Sequence, residues 1–114
     1  MDHYEEAICL ARTPNGVIKI CPPGCTHVTF DRITFEFENP AQFQSMASEV
    51  SSALPTVDET MRFAHGQIIL ELSKTQAIEL VQLVSEAAAT ITWTSGELAF
   101  NDEDFQQILK RLSL

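Results

Sequence analysis

The sequence predicts an α+β domain, a two-layer sandwich in which a mostly antiparallel sheet carries three helices on one face. Three observations predict it. Runs of alternating apolar and polar residues come in pairs joined by short turns, three helix starts with capping side chains follow such pairs, and the pattern recurs as an N-terminal hairpin and three ββα units. Strands this close in sequence pair antiparallel, and helices that return to one sheet face give two layers.

The hairpin is expected over residues 6–21. Ala7 to Arg12 and Val17 to Cys21 flank Thr13-Pro14-Asn15-Gly16, in which Asn-Gly is the strongest short hairpin signal. That register sets Cys9 opposite Pro22, one step from Cys21. The ββα units are expected over 27–54, 60–89 and 90–113, with Asp31-Arg32, His65-Gly66 and Ser95-Gly96 as turn pairs. Phe30 then faces Ile33 and Val28 faces Phe35. Phe63 faces Ile68 and Met61 faces Leu70, and in the third unit Trp93 faces Leu98 and Ile91 faces Phe100. Each apolar residue meets an apolar partner on the same face. Asp31-Arg32 is the weakest turn chemistry of the three, with a bulge or longer loop as its alternative.

Each helix has a start signal and an apolar stripe. Asn39 before Pro40, Ser73 with Gln76, and Asn101 before Asp102-Glu103-Asp104 supply capping side chains, and the Ser73/Gln76 pair is a capping box. The stripes are Phe43, Met46, Ala47, Val50; Ala77, Leu80, Val81, Val84; and Phe105, Ile108, Leu109, Leu112, each at i, i+3, i+4, i+7. The second helix is apolar over most of its circumference, with only Thr75, Glu79, Gln82 and Glu86 as a polar stripe. It is expected at the centre of the helical layer, with a subunit contact through Ile78 and Leu83 as the alternative.

At 114 residues with 45% hydrophobic and 20% charged residues, the chain has the size and composition of one domain with a buried core. Leu54-Pro55-Thr56-Val57-Asp58-Glu59 resembles a linker but is too short to divide domains, and is expected to cross a sheet edge. A formal charge of −9, with the seven Lys and Arg scattered, disfavours nucleic acid and anionic membranes as partners. The acidic start and the lack of an apolar run of about 20 residues predict a cytoplasmic protein.

The motif that asks for chemistry is Cys21-Pro22-Pro23-Gly24-Cys25-Thr26-His27. Cys21, Cys25 and His27, with Cys9 as a fourth ligand, would suit zinc. The competing reading is a rigid turn: two prolines lack N–H groups and Gly24 accepts positive φ, so one strand ends and the chain reverses towards Val28. A redox role is disfavoured because the motif precedes a strand and not a helix N-terminus, and a Cys21–Cys25 disulfide would close a very small loop. For nucleophilic catalysis only Cys25 with His27 or His65 offers a dyad, and no phosphate loop, Gly-x-Ser-x-Gly or His-Glu-x-x-His is present. Asp102, Glu103 and Asp104 are explained by the dipole of a helix's first turn.

The stretch from Asn15 to Met46, through Asn15, Gly16, Cys21, Cys25, Phe35 and Phe43, resembles a family of small, functionally uncharacterised bacterial proteins with a close cysteine pair after an N-terminal hairpin. The family's pair is C-x2-C, whereas this chain has C-x3-C. The resemblance implies a bacterial source and brings no activity, catalytic residue or cofactor. The sequence therefore points to an acidic, cytoplasmic, non-enzymatic interaction or regulatory module that forms a homodimer and needs no cofactor. The alternative is a small zinc protein. Thr29, Thr34, Glu36, Arg62, Glu71, Thr92 and Thr94 on the other sheet face suit water, which favours the second helix as the dimer contact.

Overall fold

A computed structural model describes residues 7–53, 60–65, 67–95 and 102–112. The elements in chain order are β1 (Ile8–Thr13), β2 (Gly16–Ile20), β3 (Thr26–Phe30), β4 (Ile33–Phe37), α1 (Pro40–Ala53), β5 (Thr60–His65), β6 (Ile68–Ser73), α2 (Lys74–Ser95) and α3 (Asp102–Leu112). The fold class is α+β, as predicted. The strands divide into two sheets: an antiparallel meander β1-β2-β3-β4 and a separate antiparallel pair β5-β6.

The meander is amphipathic because side chains alternate across it. Its rows Ile18–Val28–Phe35, Ile20–Thr26–Phe37 and Gly16–Phe30–Ile33 point inward, and all but the half-buried Ile33 are buried. The Phe30/Ile33 and Val28/Phe35 pairings are those expected from sequence. Asp31 and Arg32 close this hairpin at φ 50° and 73°, the left-handed values that a tight two-residue hairpin turn demands.

Two registers differ from expectation. Thr13 pairs with Gly16, so Pro14-Asn15 makes the first turn, and the slip between Cys9 and Ala11 inserts one extra residue in β1. Cys9 therefore lies opposite Lys19 and not Pro22. Gly16 is needed inside the sheet: a Cβ there would lie 2.6 Å from Leu83 Cδ2 and 2.9 Å from Phe30 Cδ1. In β5-β6, Phe63 pairs with Leu70 and Met61 with Leu72. This slip of two residues preserves the face and gives the fully buried Leu72 an apolar partner.

The helix starts form as their sequences dictate. Asn39 Oδ1 accepts from Gln42 N at 2.9 Å, while Gln42 Oε1 accepts from Glu38 N at 3.1 Å. At α2, Ser73 Oγ accepts from Gln76 N at 3.2 Å and Gln76 Oε1 from Ser73 N at 2.9 Å, which is the capping box.

The third ββα unit is not present as drawn. Ile91 to Ser95 form the end of α2 instead of a strand, and the partner strand at Leu98–Phe100 falls outside the described residues. Ala77, Leu80, Val84, Ala87 and Ile91 repeat at three and four residues and are all buried, so the stripe that starts the helix continues through it. No glycine or proline interrupts it before Gly96.

The helix α2 is central, touching β1, β2, β5, β6, α1 and α3. Leu83, expected as a possible subunit contact, is 0% exposed and packs into the chain's own core, whereas Ile78 is 41% exposed. The Phe35 and Phe63 rings join the two sheets edge-to-face, with centroids 5.1 Å apart at 80°. The helix α1 leans on β4, where Phe43 meets Phe37 at 6.0 Å.

Candidate functional site

The strands β2 and β3 continue their pairing past Ile20 and Thr26 to the two cysteines. Cys21 N donates to Cys25 O at 2.9 Å, and Gly24 N donates to Cys21 O at 2.8 Å. Pro22 and Pro23 have no N–H to leave unpaired in the connecting loop. Gly24 sits at φ 106°, which residues with a Cβ rarely adopt. The rigid-turn reading of this motif describes its backbone.

Because Ile20 and Thr26 point inward, Cys21, Cys25, Lys19 and His27 belong to the outward face. There Cys21 Sγ lies 3.3 Å from His27 Nε2. His27 Nδ1 lies 3.8 Å from a carboxylate oxygen of Glu36, the residue opposite it on β4. Cys21 is 1% and His27 8% exposed; Glu36 stands at the surface. With the ring proton on Nδ1, towards the carboxylate, Nε2 accepts from the thiol. The result is a thiol–imidazole–carboxylate series running from the residue that follows β2 through β3 to β4. It can move a proton off Cys21 and hold the resulting positive charge on His27 beside Glu36.

The expected dyad paired Cys25 with His27; the thiol that meets the imidazole is that of Cys21. Cys25 is half-buried next to it across the loop. Cys9 is exposed on the outer strand, opposite Lys19, with its thiol donating to Ala11 O at 3.4 Å. The four sequence-derived zinc candidates Cys9, Cys21, Cys25 and His27 therefore divide into a contacting pair and two others, and among the described residues no three His, Cys, Asp or Glu side chains gather to hold a metal. The side chains of His65 and Asp102 lie outside the described ones. From sequence Glu36 reads only as a water-facing residue of the outer sheet face, although the register that pairs Phe30 with Ile33 also pairs His27 with Glu36.

A second polar cluster joins α2 to the first hairpin. The Glu79 carboxylate accepts from Thr13 Oγ1 at 2.6 Å, Asn15 N at 2.9 Å and Asn15 Nδ2 at 2.9 Å. The Thr13 hydroxyl, helped by Asn15 and opposed by partial desolvation, holds this carboxyl below the usual glutamate value. The cluster fastens helix to turn.

No protein-family model matches the chain, and neither a curated protein nor a solved structure matches it. Among the described residues, no helix is long and apolar enough to cross a membrane.

Proposed function

We propose that the chain is a cytoplasmic, non-enzymatic interaction module that self-associates as a homodimer through the outward face of β5-β6. The observation that carries this is the composition of that face. It consists of Thr60, Arg62, Ala64, Ile69, Glu71 and Ser73, with Ile69 62% exposed. Its one cation and one anion cancel, in a chain of net charge −9.

Two copies of so acidic a chain repel one another wherever their acidic surfaces meet. A twofold contact needs a patch complementary to itself. Arg62 and Glu71, 3.9 Å apart on adjacent strands, give one: turned through a half rotation, each copy can present carboxylate to guanidinium around a shared Ile69 contact. On this face Ala64 pairs with Ile69, so the surface beyond Arg62 and Glu71 towards the hairpin end carries no charge. A contact through α2 is the second reading, and it now rests on Ile78.

Sedimentation velocity over a concentration series tests the proposal. The parent is expected to dimerise and Ile69→Lys to remain folded and monomeric. A monomeric parent, or an Ile69→Lys variant that dimerises like it, would overturn the reading; dissociation by Ile78→Glu in place of Ile69→Lys would transfer the contact to α2.

A further inference from the structure

We propose that Cys21 and Cys25 form a modification site, a dithiol that a hydroperoxide converts reversibly into an intrachain disulfide, with His27 taking the proton of Cys21. This inference is independent of the dimer contact. Cys21 and Cys25 flank the turn one residue beyond the last β2-β3 pair, Ile20–Thr26, and are tied across it by the Cys21 N to Cys25 O bond. Directly opposed residues of an antiparallel pair have Cα atoms roughly 4.5–5.5 Å apart, inside the roughly 4.4–6.8 Å that a disulfide spans. Both side chains belong to the outward face, and all three cysteines are present as thiols.

The two thiols are unequal, and the inequality orders the steps. Cys25 is half-buried and so within reach of a small oxidant; Cys21 is 1% exposed and sits 3.3 Å from His27 Nε2. Cys25 as thiolate attacks the O–O bond of the peroxide. An S–O bond forms, hydroxide leaves to be protonated to water, and Cys25 becomes a sulfenic acid. Cys21 then passes its proton to His27 Nε2 and its sulfur attacks that of Cys25. The S–S bond forms, the S–O bond breaks, and the departing hydroxide takes up a proton as a second water. Two thiols have lost two electrons to one peroxide. Glu36 beside Nδ1 stabilises the imidazolium between the two transfers, and Lys19 opposite His27 adds positive charge on the same face. A reducing dithiol reverses the change by exchange.

The test treats the full chain with hydrogen peroxide, alkylates the remaining thiols and maps the peptides without reduction. The expected product is a Cys21–Cys25 disulfide that dithiothreitol reverses, with Cys9 still open to alkylation. Cys9→Ser should leave the rate unchanged, and His27→Gln should slow closure roughly a hundredfold, the low side of what a positioned base contributes. Glu36→Gln, at an exposed position that tolerates change, should slow it several-fold even if His27→Gln does not fold. The proposal is overturned by Cys25 oxidising to sulfinic acid without joining Cys21, by crosslinking through Cys9 in its place, or by unchanged rates in the folded variants. Stoichiometric zinc held by these side chains in the purified protein would overturn it as well.

Discussion

Substituting Gly16 by alanine isolates the contact that docks α2 on the meander. The new Cβ would sit 2.6 Å from Leu83 Cδ2, 2.9 Å from Phe30 Cδ1 and 3.2 Å from Thr29 O. Leu83 and Phe30 are both fully buried, so neither can turn aside into solvent, and the third neighbour is backbone. Overpacking of this kind costs about 1–3 kcal/mol, while removing a glycine from the unfolded chain returns about 0.4–1 kcal/mol. The net expectation is a loss of about 1–2 kcal/mol. Urea unfolding followed by far-ultraviolet circular dichroism measures it as a lower midpoint at unchanged slope. Leu83→Val, itself costing about 0.5–1.5 kcal/mol by analogy with other one-carbon truncations, should absorb most of the Gly16→Ala penalty, because it withdraws the nearest clashing atom. A Gly16→Ala variant as stable as the parent, or a penalty identical in both backgrounds, would refute the close approach of helix and sheet.

Replacing Asp31-Arg32 with Asn-Gly should stabilise the chain by about 1 kcal/mol in the same assay, since φ values of 50° and 73° strain side-chain-bearing residues. Glu79→Gln should lose about 1 kcal/mol or less at neutral pH, given three hydrogen bonds at a partly exposed site. Because the folded carboxyl titrates below its usual value, its contribution is complete above the ordinary glutamate range and fades as pH falls through the folded value, so parent and variant should converge in acid. Leu83→Glu should unfold the domain, as a charge placed in a fully buried position, whereas Ile78→Glu should stay folded; circular dichroism distinguishes the two.

What sequence made legible was whatever depends on neighbours along the chain. The caps at Asn39 and Ser73, the β3-β4 register and the apolar stripe of α2 are local in this sense, and all are present in the structure. What failed were choices between local signals of similar strength. Asn15-Gly16 reads as a turn until Leu83, on a helix far along the chain, requires Gly16 in the strand. Ile91-Thr92-Trp93-Thr94 reads as a strand by its β-branched residues, yet a helix already nucleated at Ser73 meets no breaker there, and extending it costs little. The division into two sheets depends on which strand edges meet in space, which alternation along a strand does not encode. Cys21–His27 is intermediate. It is diagonal across the hairpin end, and its detection required following the β2-β3 register one residue past Ile20 and Thr26 to Cys21 and Cys25.

The neutral outward face of β5-β6, and the claim that two copies of the chain meet there, is tested most directly by charge exchange. Arg62→Glu leaves two anions on the face and should give a folded monomer in sedimentation velocity. Glu71→Arg leaves two cations and should do the same. The double variant, Arg62→Glu with Glu71→Arg, restores both the pair within the chain and the complementarity between copies, and is predicted to sediment as a dimer again. A dimer that persists through both single reversals, or a double variant that stays monomeric while folded, would contradict the account.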